Sequence, residues 1–205
     1  VYVVRNLSDV DSIVSEFIEK RHVLIIGGSA HLQKCGIEHL VIEKGRIAER
    51  WRSARWDSLV MNGPAWHDRF PEMHFNNWHP DSFPNKDAVA SYFETFARQI
   101  NAPIHCEVEV TNVTPSQNGG FEVKTSRGAI KARNIVSATG PFQTPVIPSI
   151  ITDDCISQIH SFDYRNPKQL DDGAVLIVGA GSSGSQIADE LLRAGRKVYL
   201  SIGPH

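Results

Sequence analysis

The chain has 205 residues, 41% of them hydrophobic, and a formal net charge of −2. That supplies apolar material for one large core or two small ones, and the near-neutral balance gives no global pull toward nucleic acid or an anionic membrane. Its three cysteines, Cys35, Cys106 and Cys155, are scattered and form no C-x-x-C, which excludes a disulfide framework and a dithiol close in sequence and fits a reducing, cytoplasmic setting.

The first residues lack the apolar core of a secretory signal and an initiator Met. No apolar run nears the roughly 20 residues that span a bilayer. After the cap signal Ser8-Asp9, Val10, Ile13, Val14, Phe17 and Ile18 recur at helical spacing, which predicts a helix within an extension over residues 1–20. Val23–Ile26 reads as a strand, Gly27-Gly28-Ser29 as a turn into a short helix, and His39–Glu43 as a second strand. Gly45–Asp81 is long and aperiodic and holds Trp51, Trp56, Trp66 and Trp78. Loops of that length are usually functional or disordered, and four tryptophans argue against disorder. Arg46, Arg50, Arg52 and Arg55 cluster there among Glu43, Glu49 and Asp57, as in a solvated or phosphate-facing loop. His74 and His79 lack a third ligand at suitable spacing, so no metal is expected.

Asp87–Ile100 is predicted helical, with Val89, Tyr92, Phe93 and Phe96 on one face. Ile104–Val113, Gly120–Thr125 and Ala129–Val136 read as strands of an antiparallel meander. The last strand runs into Ala138-Thr139-Gly140, and a proline-rich connector follows. Val175–Val178 is then a strand, Gly179-Ala180-Gly181-Ser182-Ser183-Gly184 a turn, and the next segment a helix with Ile187, Leu191 and Leu192 on one face. A further strand closes the chain. A single βαβ of about 30 residues cannot bury a parallel sheet, so the expectation is a second domain that continues past His205, or a fragment.

The two strand–glycine–helix–strand units share one grammar. In the second, G-x-G-x-x-G sits between a strand and a helix, the context a dinucleotide site requires. The first glycine allows the tight turn, the second lets backbone approach a pyrophosphate, and the third lets helix and strand pack closely. In the first unit Gly27 to Gly36 spans 9 positions, against 16 from Gly179 to Gly195. The shortfall is about two helical turns, or roughly 10 Å. Residues absent from the sequence, a deletion, and a truly shortened helix are the three readings, with the first two preferred. An acid ending the second strand holds a free ribose 2′-hydroxyl. Aligning the units pairs Glu43 with Ile202, which suits FAD in the first unit and NADP in the second. Arg196, His205 or a residue further on is the candidate partner for a 2′-phosphate.

Taken with Trp51, Asn62, Ala138-Thr139-Gly140 and His160-Ser-Phe-Asp-Tyr164, these units resemble the flavin-containing monooxygenase-like proteins, from Val23 to His205. Of that family's F-x-G-x-x-x-H-x-x-x-[YF] signature, His160 and Tyr164 match, while Asp154 and Ile156 depart. The resemblance implies an α/β fold: a Rossmann-like FAD domain with a β-meander over residues 21–150, a linker over 151–170, and the start of a Rossmann-like NADP domain over 171–205. It implies FAD held by Gly27, Gly28 and Glu43, with Lys44, Arg50, Trp51 and Arg52 reaching the flavin. Met61 and Asn62 would lie beside the isoalloxazine, Asn62 as the catalytic residue. Val110 would meet the adenine, and Ala138, Thr139 and Gly140 would complete the cofactor set. Gly179, Gly181, Ser182, Ser183 and Gly184 would hold NADP(H). The implied chemistry is hydride transfer from NADPH to FAD and oxygenation of a small organic substrate by O2 through a flavin peroxide. The alternatives are an NADPH reductase without oxygen insertion and a non-catalytic nucleotide-binding remnant. A homodimer is left open; nucleic-acid and membrane partners are not expected.

Overall fold

The structure, a computed structural model, describes residues 2–3, 23–26, 37–70, 72–140, 144–149, 151 and 155–203. The predicted N-terminal helix and the short helix after Gly27-Gly28 lie outside these residues. The chain divides into two compact units, one from residues 1–49 and 91–143, the other from residues 50–90 and 144–205.

Unit one opens with β1 (Tyr2–Val3), β2 (Val23–Ile26) and β3 (His39–Ile42). Further on come β4 (Ile104–His105), β5 (Val110–Pro115), β6 (Phe121–Thr125), β7 (Gly128–Ala132) and β8 (Asn134–Ser137). A parallel sheet runs in the order β1-β8-β2-β3-β4, and β5-β6-β7 form the meander. Apolar residues fill β2 because both faces of a parallel strand are buried. Val23 and Ile25 pack with Val41 and Val136 on one face. Leu24 packs on the other with Ile42 and Ile135, and there the meander covers the sheet through Val123 and Ala132. Each such side chain contributes about 1.5–3 kcal/mol on burial, so β2 is the centre of this core.

Two expected strands are in fact split between the sheets. The stretch Ile104–Val113 divides into β4, parallel to β3, and β5, antiparallel to β6. The switch falls at Glu107, whose φ is +57°. Its N–H donates to the Gly45 carbonyl at 3.1 Å, and that of Val108 to the Glu43 carbonyl at 3.1 Å. Tertiary bonds hold a left-handed residue there, with no glycine to mark it. The stretch Ala129–Val136 divides at Arg133 into β7, in the meander, and β8, in the parallel sheet.

Two helices come from the middle of the chain, α1 (Glu49–Ser53) and α2 (Lys86–Gln99). Asn85 caps α2 by accepting from the Ala88 N–H at 2.9 Å, as short polar side chains do at helix starts. Val89, Tyr92 and Phe96 of its apolar face are buried, while Phe93 is half-buried. The boundary between the units falls within this helix.

Unit two contains β9 (Val175–Val178), α3 (Ser182–Arg193) and β10 (Val198–Ser201). The two strands pair in parallel, Val175 with Val198 through Val178 with Ser201. The core joins Ile187 and Leu191 of α3 to Trp56, Leu59 and Tyr164, with Val175, Ile177 and Val198 half-buried against them. The tryptophan-rich segment and the stretch expected as a linker therefore both supply core to this unit. Leu192, expected on the same face, is 58% exposed. The stripe runs through Ile187, Ala188 and Leu191, and Leu192 lies about 140° around the helix from Ile187. On the sheet face away from α3, Leu176, Val178 and Tyr199 are exposed. Replacing Trp56, 3% exposed, with Ala should cost about 3–5 kcal/mol. Urea unfolding would read this as a lower midpoint; an unchanged midpoint would contradict a core role.

Candidate functional site

The glycine turn of unit two begins where β9 ends. Gly179 has φ +102°, a left-handed value that only glycine adopts without strain, and its N–H donates to the Ser201 carbonyl at 3.0 Å. Gly181 is the N-cap of α3, with no side-chain cap bond. The first-turn N–H groups of Ser182, Ser183 and Gly184 have no acceptor within the helix, and the positive end of the helix dipole lies there.

The second and third glycines serve different needs. A Cβ at Gly184 would lie 1.9 Å from the Gly179 carbonyl oxygen. That residue must be glycine for the turn to close on the helix. A Cβ at Gly181 would meet nothing within 4 Å. Internal packing does not demand glycine at that position, so the turn leaves an open cradle beside unpaired backbone donors. That arrangement fits a pyrophosphate.

At the far end of β10, Ile202 is exposed and no carboxylate follows the strand. Arg196, one candidate for a 2′-phosphate, is not at this end. It precedes β10, where its Nη2 donates to the Asp171 carbonyl. Five extended residues, about 16 Å, separate it from Ser201. His205 lies outside the described residues.

In unit one, Glu43 directly follows β3. Because Ile42 pairs with Ile26, Glu43 stands beside the end of β2 that leads to Gly27 and Gly28, both outside the described residues. One carboxylate oxygen of Glu43 accepts from the Gly45 N–H at 2.9 Å. Its own N–H donates to the His105 carbonyl at 3.0 Å. On the other side of β2, Ser137 pairs with Ile26, so Ala138, Thr139 and Gly140 leave the sheet at the same edge as Glu43. Ala138 packs on the core, Thr139 and Gly140 are exposed, and Gly140 has φ +77°. Ligands of open α/β sheets bind at the carboxyl ends of the strands, and these residues line that edge. Lys44 instead forms an exposed ion pair with Glu109 at 2.7 Å. Val110 lies in β5, half-buried against the meander core.

The remaining predicted residues belong to unit two. Arg50, Trp51 and Arg52 lie on α1. The Arg50 guanidinium is 5.8 Å from the centre of the Phe162 ring, and that of Arg55 is 5.9 Å from Trp51. Burial, and then the nearby charge of Arg50, lower the pKa of Arg55. Met61 is buried, with its N–H donating to the Pro84 carbonyl at 2.9 Å. Asn62 is exposed, and its Oδ1 accepts from Nε2 of Gln186 on α3 at 3.1 Å. The structure thus links Asn62 to the glycine-turn helix.

In the matched signature, the His160 ring accepts from the Phe162 N–H at 3.0 Å, a local turn contact. The Tyr164 hydroxyl donates to Glu190 of α3 at 2.7 Å. Burial, then the bond to Glu190 and its charge, push the Tyr164 pKa up. Arg165, which the sequence did not single out, donates from Nη1 to the Phe162 and Tyr164 carbonyls and from Nη2 to that of Ser53. It ties the 160–165 turn to the end of α1. An open cavity of about 410 Å³ is lined by Trp66, His67, Arg69, Phe70, Glu72 and His74. Among the described residues no cluster could hold a metal ion, and no helix is long and apolar enough to cross a membrane.

Comparison with known proteins places this architecture. The family model for pyridine nucleotide-disulphide oxidoreductases matches residues 25–204. The chain is 40% identical over 191 residues to a CzcO-like oxidoreductase of Geobacillus kaustophilus, covering 88% of this chain and 54% of the relative. It is 27% identical over 180 residues to the probable indole-3-pyruvate monooxygenase YUCCA1 of Arabidopsis thaliana, covering 85% of this chain and 43% of that one. The fold matches the flavin-containing monooxygenase from Stenotrophomonas maltophilia with a TM-score of 0.77 at 22% identity, over 90% of this chain and 58% of the other. The chain thus spans about half the length of the curated relatives it matches. Proteins of this group bind FAD and NADP(H) and act as flavin-dependent monooxygenases and oxidoreductases. The chain belongs to the pyridine nucleotide-disulphide oxidoreductase family, within its flavin-containing monooxygenase-like group.

Proposed function

We propose that this chain carries the cofactor sites of an FAD- and NADPH-dependent monooxygenase acting on a small organic substrate with O2. The observation that carries the reading is the contrast at the glycine turn. Gly184 is locked by contact with Gly179, while Gly181 faces open space. NADPH would bind there, with its pyrophosphate on the first-turn N–H groups of α3 and beside Ser182 and Ser183. The domain beginning near residue 171 is accordingly the NADP domain, and the sheet of unit one belongs to the FAD domain. Glu43 would accept from the FAD ribose hydroxyls, with Gly27, Gly28, Val110 and residues 138–140 completing that site. Lys44, Arg50, Trp51, Arg52 and Met61 would form the segment leading to the flavin, and Asn62 would donate a hydrogen bond there. When bound, FAD supplies hydride acceptance and the activation of O2. The protein's part is to hold the two cofactors and exclude water. The scattered cysteines favour a cytoplasmic setting, and a homodimer is compatible with the reading.

The family's disulphide-oxidoreductase description favours one other reading, a flavin-dependent NADPH reductase without oxygen insertion. Isotopically labelled O2 separates the two. The protein from the complete gene, supplied with FAD, NADPH and a panel of thioethers, amines and ketones, should transfer one labelled oxygen atom to product. NADPH oxidation with no label in any product, but with reduction of a disulfide, would replace the monooxygenase by the reductase.

A further inference from the structure

The glycine-turn helix carries a side chain whose hydrogen bonds all point to the segment holding Asn62. Gln186 donates from Nε2 to Asn62 Oδ1 at 3.1 Å and to the Val60 carbonyl at 3.2 Å. Its Oε1 accepts from the Val60 N–H at 3.4 Å. A carboxamide has two N–H donors and one carbonyl acceptor, and here each has a partner.

The backbone that Gln186 grips is held from its other side as well. Val60 bridges to Asn85, the Lys86 N–H donates to the Leu59 carbonyl at 3.0 Å, and the Met61 N–H donates to the Pro84 carbonyl at 2.9 Å. Residues 59–61 are thus clamped between α3 and the start of α2. Asn62 is the next residue, exposed, with its carbonyl oxygen engaged by Gln186. Its NH2 group therefore turns outward, a pair of donors on a fixed stem.

We propose that Gln186 is a positioning residue, which sets the Asn62 carboxamide so that its NH2 group meets a hydrogen-bond acceptor of the bound flavin–nicotinamide pair. The inference rests on the reading of Asn62 given above and adds a cause for its orientation. Gln186 lies five residues beyond Gly181 on the same helix. The helix that would bind the NADP pyrophosphate therefore also orients the Asn62 donor. Replacing Gln186 with Glu reverses the polarity: a carboxylate offers only acceptors, so Asn62 would turn its NH2 inward and its oxygen outward. Replacing Gln186 with Leu removes the grip.

The test uses the protein from the complete gene, in wild-type form and as Gln186→Glu, Gln186→Leu, Asn62→Ala and the Gln186→Leu/Asn62→Ala double variant. Selectively labelled Asn62 is followed through its side-chain amide NMR signals without cofactor, and oxygenated product per NADPH is measured with FAD and NADPH. The amide signals should shift in both Gln186 variants. Product yield should fall about tenfold in each single variant, the order set by one positioned hydrogen bond, and no further in the double variant. Unmoved Asn62 signals in both Gln186 variants, or losses that add in the double variant, would overturn the role of Gln186. A silent Asn62→Ala variant would overturn the reading of Asn62 itself, and with it this proposal.

Discussion

Gly181→Val should weaken NADPH binding by about 100-fold, equivalent to about 2.7 kcal/mol, in a protein that still folds. Gly181 has φ −69° and ψ 177°, extended backbone that a β-branched residue adopts readily. A Cβ there meets nothing within 4 Å, so the substitution causes no internal clash. Its stability effect is the poorer N-cap, about 1 kcal/mol. The branched methyls instead fill the space through which a pyrophosphate would reach the helix N-terminus. Calorimetric titration with NADPH, beside a thermal melt, reads the two effects separately. Unchanged affinity in a folded variant would show that nothing binds against this turn.

Gly184→Ala should act in the opposite way, through the fold. The added Cβ would sit 1.9 Å from the Gly179 carbonyl oxygen and 3.1 Å from its carbon, and both are backbone atoms. Relief requires the turn or the start of α3 to move. Overpacking of this kind costs about 1–3 kcal/mol and sometimes more, against a total of about 5–15 kcal/mol for a domain. Because α3 contributes Ile187 and Leu191 to the unit-two core, a displaced helix loosens the whole unit. The expected result is a clearly lowered melting temperature, with NADPH affinity falling as a consequence. A melt equal to wild type would mean that the turn relaxes without cost. Opposite outcomes at the two glycines would separate a residue required for packing from one required for a ligand.

Much of this was legible because local rules and tertiary structure agree. Val23–Ile26, Val175–Val178 and the glycine turn are strands and a turn in both, since each apolar run is flanked by residues that stop it. The strand breaks at Glu107 and Arg133 were not legible. Apolar alternation continues across Glu107, and neither position carries a glycine or proline. Their cause is which sheet each half can reach. The same limit hid Gln186: its bond to Asn62 joins residues 124 positions apart, and on α3 it reads as an ordinary polar residue. Arg165, bonded to Ser53 across 112 positions, was hidden for the same reason. Leu192 misled because it continues the apolar run of the helix, whereas the buried stripe is narrower.

If the turn Gly179–Gly184 holds a hydride donor, reduction of a bound flavin by NADPH must depend on that turn. Anaerobic mixing of the flavin-loaded protein with NADPH, followed by flavin absorbance, tests it most directly. The wild-type flavin should bleach rapidly with NADPH and more slowly with NADH. The Gly181→Val flavin should resist NADPH yet bleach with dithionite. Equal reduction of wild type and Gly181→Val by NADPH would contradict it.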